Sequence, residues 1–311
     1  MNIIITGSIA FDYLMSFPGS FSEHLLPDHL SRVSVSFLVD SMDKRRGGCA
    51  PNIAYTLALL GERPRLMATA GQDFEEYRRW LEASGVDTSL VKVVDGKFTA
   101  SFFCSTDKDG NQIASFYTGA MAHAGELSFR AAEGCDLAII SPNDPAAMVQ
   151  YAGECRTLSI PYIFDPSQQV ARLSAEDLRE GIAGAHIVVC NDYEFEIIRQ
   201  KTGMTETDLL AETEVLVVTR GEQGASILTR ECAIQVPAVP PRRIVDPTGV
   251  GDAFRAGFMK GLAMGAPYEV CGRLGSVAAT YVLEHMGGQS HAYTLEEFAA
   301  RYKEQFGPLE A

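Results

Sequence analysis

Positive charge is scarce in this sequence: 26 Lys and Arg stand against 40 Asp and Glu, a net charge of −14. Such a surface repels nucleic-acid backbones and anionic lipid, so neither is expected as a partner. A phosphate would have to be held by local amides, a metal ion or individual arginines, because the overall field opposes it. The seven cysteines (Cys49, Cys104, Cys135, Cys155, Cys190, Cys232 and Cys271) include no pair closer than 20 residues. Without a C-x-x-C pair a zinc or redox motif is not expected, and most of these thiols read as small core side chains in a reducing cytosol. No apolar run is long enough to span a bilayer, and residues 1–7 lack a basic segment, so no signal peptide is expected and the protein reads as cytoplasmic. Also missing are G-x-x-x-x-G-K-[ST], a G-x-G-x-x-G after a strand, G-x-S-x-G and H-E-x-x-H. Their absence argues against a P-loop nucleotide site, a nicotinamide enzyme of the usual design and the commonest hydrolases.

What the sequence does contain is a turn of Asp246, Pro247, Thr248, Gly249, Val250, Gly251 and Asp252 running straight into an amphipathic helix. Backbone N–H groups should converge there at the positive end of a helix dipole, making an anion site. Asp252 stands at its mouth, where a carboxylate can take a proton from a hydroxyl that attacks the bound anion. Together they suggest phosphoryl transfer, although the window alone is equally an ordinary glycine turn with a first-turn acid. Ala253, Gly257 and Gly261 form a small stripe along the helix beside the bulk of Phe254, Phe258 and Leu262, which predicts close packing against a sheet.

The rest of the chain alternates strand and helix. Strands are predicted at 2–6, 65–70, 136–140, 161–165, 186–190 and 214–219, and helices after Asn52 and at 73–84, 144–158, 175–183, 193–200 and, as the final helix, 268–285. This is an α/β fold: a Rossmann-like, mostly parallel sheet with helices on both faces and an edge hairpin at 224–236, in one domain of 1–311. Two segments break the alternation. Residues 13–46 lack a helical period, and 90–118 hold short runs separated by two hairpin signals, Asp95-Gly96 and 107–110, so together they could form a small antiparallel lid.

Several strand ends carry candidate ligands. Asp12 lies beyond the first strand, where open α/β sheets bind ligands. Gly48 allows close backbone approach before the helix that Asn52 opens, either as a ligand contact or as its N-cap. Asn191 and Glu194 lie one helical turn apart, suited to hydrated Mg²⁺ or simply to a capping box. Thr219, Gly221 and Gly224 form a turn that could wrap a nucleotide.

Taken in order, G-G-x-x-x-N near 50, N-x-x-E near 190, T-x-G-x-x-G near 220 and D-x-T-G-x-G-D near 250 resemble the PfkB (ribokinase-like) family of carbohydrate and nucleoside kinases over nearly the whole chain. The resemblance implies that Asp252 is the catalytic base and that the amides of Gly249, Val250 and Gly251 are the anion hole. It makes Asp12, Gly48 and Asn52 the grip on substrate hydroxyls. Asn191 and Glu194 would organise Mg²⁺ through water, and Asn191, Thr219, Gly221 and Gly224 would hold ATP, with Ser276 near the adenine. Asp246 and Thr248 match positions that bind a monovalent cation such as K⁺ in some members, although the stretch around 285–291 does not match. The resemblance also admits a homodimer through the lid. Ile140, where ribokinases carry Glu, suggests an apolar pocket, and the segments around Gly48, Asp252 and Gln289 look closer to adenosine or nucleoside kinases. The expected acceptor is therefore an adenosine-like nucleoside, with a free sugar such as ribose or fructose next. A phosphosugar kinase would need cations in the lid, for which Arg32, Lys44, Arg45 and Arg46 are available. A non-catalytic binding protein on the same scaffold would have no use for Asp252.

Overall fold

The computed structural model describes residues 1–25 and 34–309. The apolar run after Asn2 forms β1 (Ile3–Thr6), followed by β2 (Ala10–Ser16), β3 (Ser41–Gly47), α1 (Cys49–Leu59), β4 (Arg65–Met67), β5 (Thr69–Ala70) and α2 (Glu75–Ala83). Next come β6 (Lys92–Val93), β7 (Ala100–Thr106), β8 (Gln112–Tyr117), β9 (Leu137–Ile140), α3 (Pro145–Thr157), β10 (Tyr162–Phe164) and α4 (Ala175–Ile182). The last part holds β11 (Ile187–Asn191), α5 (Asp192–Thr202), α6 (Glu206–Glu212), β12 (Val215–Thr219), β13 (Ala225–Leu228), β14 (Ala233–Val236), α7 (Val250–Ala263), α8 (Tyr268–Leu283) and α9 (Leu295–Phe306).

The main sheet runs β14-β13-β12-β11-β10-β9-β1-β4, parallel from β12 to β4, with β13 and β14 an antiparallel hairpin at one edge. Its central strands are mostly apolar and buried because both faces are covered, with polar residues such as Thr6, Asn191 and Thr219 at the strand ends. Ile3 and Ile5 pack with Ile53, Leu57, Tyr77 and Phe258 on the side of α1, α2 and α7. Ile4, one residue out of phase, packs with Met148, Leu178 and Ile198 on the side of α3, α4 and α5. Chain order reverses direction at β1, with β4 on one side and β9 on the other, which is where such sheets bind ligands.

The lid is a second sheet, β3-β2-β7-β8, hydrogen-bonded separately from the first. Its β2 and β7 run parallel, so it is mixed rather than antiparallel. The 107–110 turn closes the β7–β8 hairpin as predicted, but Asp95-Gly96 closes none: β6 pairs with β5, outside the lid, and the second lid segment begins at Ala100. Strand β3 is the charged run Ser41–Gly47, while 34–39 takes no regular structure.

Two helices had no expectation, α6 and α9; α8 is therefore not the last helix. The small stripe of α7 packs on α8 rather than on the sheet. A side chain at Gly257 would meet the Leu274 carbonyl at 2.5 Å, and one at Gly261 the Cys271 Cα at 2.6 Å. Bare glycine backbones let the two helices approach, and that fixes the end of α7 that carries Asp252.

Gly48 is the pivot between β3 and α1. Its φ is +95°, and a Cβ would collide with the Ser8 carbonyl and lie 2.7 Å from the Ala10 nitrogen. Gly48→Ala is therefore expected to cost about 2–4 kcal/mol, read as a lowered midpoint of urea unfolding. An unchanged midpoint would mean that the β1–β2 connection yields freely.

Candidate active site

The turn before α7 forms because Gly249 takes a left-handed conformation, φ +80°. A side chain there would meet the Gly288 Cα at 2.7 Å, so the two loops are in backbone contact. The first helical bond runs from the Ala253 N–H to the Gly249 carbonyl, at 2.9 Å. The N–H groups of Gly249, Gly251 and Asp252 have no hydrogen-bond partner among the described residues, as expected of an uncapped helix start. Val250 differs: its N–H is drawn back to the Pro247 carbonyl at 3.3 Å, so the Asp252 amide is freer for an anion than that of Val250.

The Asp252 carboxylate is held from one side. Asn52 Nδ2 donates to its Oδ2 at 2.8 Å, while Asn52 Oδ1 accepts from Gln289 Nε2 at 2.7 Å. Gln289 Nε2 also donates to the Tyr77 hydroxyl at 2.6 Å, and Tyr77 donates to the Gly47 carbonyl at 2.9 Å. An unbroken chain of hydrogen bonds thus links the carboxylate to the base of lid strand β3. Asn52 is not an N-cap; Gly48 holds that position, and Asn52 sits inside the first turn of α1 with its amide engaged on Asp252 rather than turned to a substrate hydroxyl. Gln289 and Tyr77 have no local motif, and only the fold brings them to Asn52.

Beneath Asp252, one turn further along α7, Arg255 grips Asp165 at the end of β10. Its Nη2 donates to Oδ1 at 2.5 Å, and its Nε lies 2.5 Å from Oδ2 with the N–H turned off the line. Both residues are buried. Burial works against the charge of Arg255, but Asp165, Asp252 and Glu194 around it outweigh that and hold it protonated. Burial also pushes the Asp165 carboxyl up, to about 7, with the contacting guanidinium pulling it the other way. Sequence reasoning missed this pair; its signal was the Asp that follows an apolar strand at 162–164.

Asp252 itself is raised to about 6, chiefly by burial, with Arg255 and Asn52 pulling it down and Glu194 pushing it up. Asp12, facing Arg45 across the β2–β3 pair, is likewise raised by burial to about 6. A Cβ at Gly47 would touch Asp12 Oδ2 at 2.5 Å, so the acid lies against the β3–α1 turn.

On the other flank, Asn191 and Thr219 are register partners at the ends of β11 and β12. Asn191 caps α5: its Oδ1 accepts the Glu194 N–H at 2.7 Å, and Glu194 Oε2 accepts the Asn191 N–H at 2.8 Å, so the capping box exists. Glu194 Oε1 keeps, among the described residues, only Ser167 Oγ at 3.3 Å. Among the described residues no group of three or more His, Cys, Asp and Glu is placed to hold a metal ion. Gly221 and Gly224 have φ of +53° and +85°, and Gly224 lies against residues 236–238. Ser276 reaches the same segment, where its hydroxyl donates to the Pro237 carbonyl at 3.0 Å and is not free as a donor to a base. Ile140 is wholly buried with Met67, Phe164 and Val170 under α3, so it lines no pocket and the substrate argument drawn from it fails. Arg32 lies outside the described residues, Lys44 sits 3.9 Å from the centre of the Phe11 ring, and Arg46 sits 4.3 Å from that of Trp80. Among the described residues no helix is long and apolar enough to cross a membrane.

A carboxylate at a glycine-rich helix start, with free amides beside it in an α/β fold that matches a kinase family over most of its length, defines the class as an α/β phosphotransferase with an alcohol acceptor. Residues 11–294 match the pfkB family carbohydrate kinase model, and the chain belongs to that family. It is 32% identical over 311 residues to a nucleoside kinase of Methanothermobacter thermautotrophicus, covering 98% of this chain and 97% of the relative. The structure of Burkholderia thailandensis nucleoside kinase in complex with inosine superposes with a TM-score of 0.88 at 38% identity, covering 98% of each chain. The Methanocaldococcus jannaschii nucleoside kinase structure gives 0.88 at 29% identity over 98% of this chain and 99% of that one. The fold is that of the ribokinase family.

Because Asp252 is raised from 3.8 to about 6, its ionised form is disfavoured on folding; this group should cost the protein stability as pH rises from 3.8 to about 6 and contribute no further change above. As the proposed base, Asp252 must be ionised, so kcat/KM is expected to fall about tenfold per pH unit below pH 6, with Asp12 steepening the limb. Asn52→Ala removes a hydrogen bond to the ionised form and should move that limb up by about one unit in a pH–rate profile. A limb that stays in place would separate Asn52 from the titration of the base.

Proposed function

We propose that this chain is an ATP-dependent nucleoside kinase that phosphorylates a hydroxymethyl group. The observation that carries the reading is Asp252, raised towards neutrality and held by Asn52 at a helix start whose Gly249 and Gly251 amides are unengaged. The acceptor hydroxyl lies between Asp252 and the γ-phosphorus of ATP. As its oxygen forms the new P–O bond, its proton passes to Asp252 and the bond to the departing ADP oxygen breaks. The amides of Gly249 and Gly251, joined by that of Asp252 and by that of Val250 when Pro247 releases it, stabilise charge on the transferring group. Asn191 and Glu194 would hold Mg²⁺ through water, and the ion would supply charge neutralisation on the phosphates, while Thr219, Gly221 and Gly224 would border the nucleotide with Ser276 behind it.

Asp12 and the Gly48 turn grip the sugar hydroxyls, and Asn52 acts on them through Asp252. A nucleoside acceptor is supported by the likeness to the nucleoside kinases of B. thailandensis, whose structure holds inosine, and M. thermautotrophicus, not by Ile140. Lys44, Arg45 and Arg46 all contact aromatic rings or carboxylates of the chain itself, which counts against a phosphosugar acceptor. Asp252→Asn is expected to lower kcat by about 10²–10⁴ with ATP affinity nearly intact, measured as ADP release over inosine, adenosine, ribose and fructose panels and by calorimetry. Turnover confined to a free sugar would keep the base and replace the acceptor; wild-type kcat in Asp252→Asn would remove the base.

The occupant we assign to the outer lid is a second copy of the chain. Phe103, Ile113, Phe116 and Tyr117 are between 39 and 49% exposed on β7 and on β8, whose outer edge is unpaired among the described residues. Light scattering should give a dimer, and Phe116→Glu should shift it towards monomer; a monomeric wild type rejects the assignment.

A further inference from the structure

Asp246 sits six residues before the base, in the loop that ends at Gly249. Its Oδ1 accepts the Thr248 N–H and its Oδ2 the Gly287 N–H, each at 2.9 Å. A carboxylate held this rigidly beside an anion site is a burden, because it repels the phosphates the loop must admit. One side chain answers it. Arg45, on lid strand β3, brings Nη1 to 3.6 Å from Asp246 Oδ2 while its Nη2 lies 3.2 Å from Asp43. The arginine is 26% exposed and Asp246 13%, so the charges meet largely out of water. The Arg45 Cδ runs 3.8 Å from where a side chain at Gly287 would begin, so the stem lies along that loop. Among the described residues this is the only ion pair that joins the lid sheet to the body.

Asp246 and Thr248 are also the positions at which the family resemblance placed a monovalent cation. The residues present do not fit one well: both carboxylate oxygens already accept an amide, and a guanidinium faces the second. A further cation there would meet the charge of Arg45. We propose that Arg45 is a positioning residue, the fixed cation of the Asp246 loop, so that phosphoryl transfer by this chain needs no monovalent cation and the loop is set for transfer when β3 lies over the site. The inference rests on the phosphotransfer reading, and it deepens the account of the lid: Arg45 is itself the register partner of Asp12, so the substrate acid, the lid cation and the anion loop stand in one row.

The test compares full-length wild type, Arg45→Lys and Arg45→Met with MgATP and inosine in tetramethylammonium, sodium or potassium chloride at a fixed ionic strength of about 0.1 M. Wild-type kcat should agree within about twofold across the three salts. Arg45→Met should lose about tenfold or more in kcat with inosine KM changed by less than about threefold, potassium restoring part of the loss, while Arg45→Lys keeps most of the rate. Wild type stimulated about tenfold by potassium, or Arg45→Met at wild-type kcat, overturns the proposal. A raised KM at unchanged kcat would make Arg45 a substrate contact and overturn it as well.

A second readout needs no turnover, and so separates a wrong acceptor from a wrong role for Arg45. Amide hydrogen exchange of Thr248 and Gly287 in the resting protein should be slow in wild type in every salt. In Arg45→Met it should be faster in tetramethylammonium and slowed again by potassium. Equal protection in wild type and Arg45→Met overturns the inference whatever the acceptor proves to be.

Discussion

Everything at this site depends on keeping one carboxylate aimed at a cluster of backbone N–H groups without letting it collapse onto them. The Asn52 amide does this by using both of its ends: the nitrogen holds Asp252, and the oxygen is held by Gln289. An amide with one free end could rotate and lose its direction; one gripped at both ends cannot do so without leaving a buried polar group unpaired. The grip continues through Tyr77 to the carbonyl of Gly47, the residue on which β3 ends. The Asp252 carboxylate is thereby referenced to the lid strand β3.

The second constraint is charge. Asp12, Asp165, Glu194, Asp246 and Asp252 all belong to the region where a triphosphate must be accepted, in a chain of net charge −14. Two arginines answer this from opposite sides. Arg255 is buried against Asp165 below α7, and Arg45 reaches Asp246 from above. A buried arginine on Asp165 also ties α7 to β10 across the centre of the molecule, and removing either partner alone would leave a buried charge costing about 3–5 kcal/mol. Glycine-only contacts between α7 and α8 complete the scaffold by bringing the helix backbones together.

Elements with a strong period were legible from the chain. The parallel strands β9, β11 and β12 are unbroken apolar runs between turn residues, and each forms within a residue or so of its expected place. Where local pattern and context disagreed, context prevailed. Strand β3 is polar and charged and reads as loop, yet it forms because β2 offers an unpaired edge. Asp95-Gly96 has hairpin chemistry, but its flanking strands find different partners. Ile140 follows a polarity argument to a pocket, whereas strand alternation turns it to the helix-covered face.

The sequence by itself determined the class of fold, the turn before α7 with its acid, and the strand ends at which ligands could gather, because each depends on residues near one another in the chain. Glycines at 48, 249 and 251, and an acid one residue beyond the last of them, carry their meaning locally. Only the tertiary structure decided which groups hold that acid and which cation faces Asp246. Asn52 and Asp252 are 200 residues apart, Asn52 and Gln289 237, and the Arg45–Asp246 pair likewise joins separate sheets and loops. No local rule relates such residues, since a hydrogen bond or ion pair is set by distance in space, and that distance exists only once the sheet, the two glycine-packed helices and the lid have been assembled.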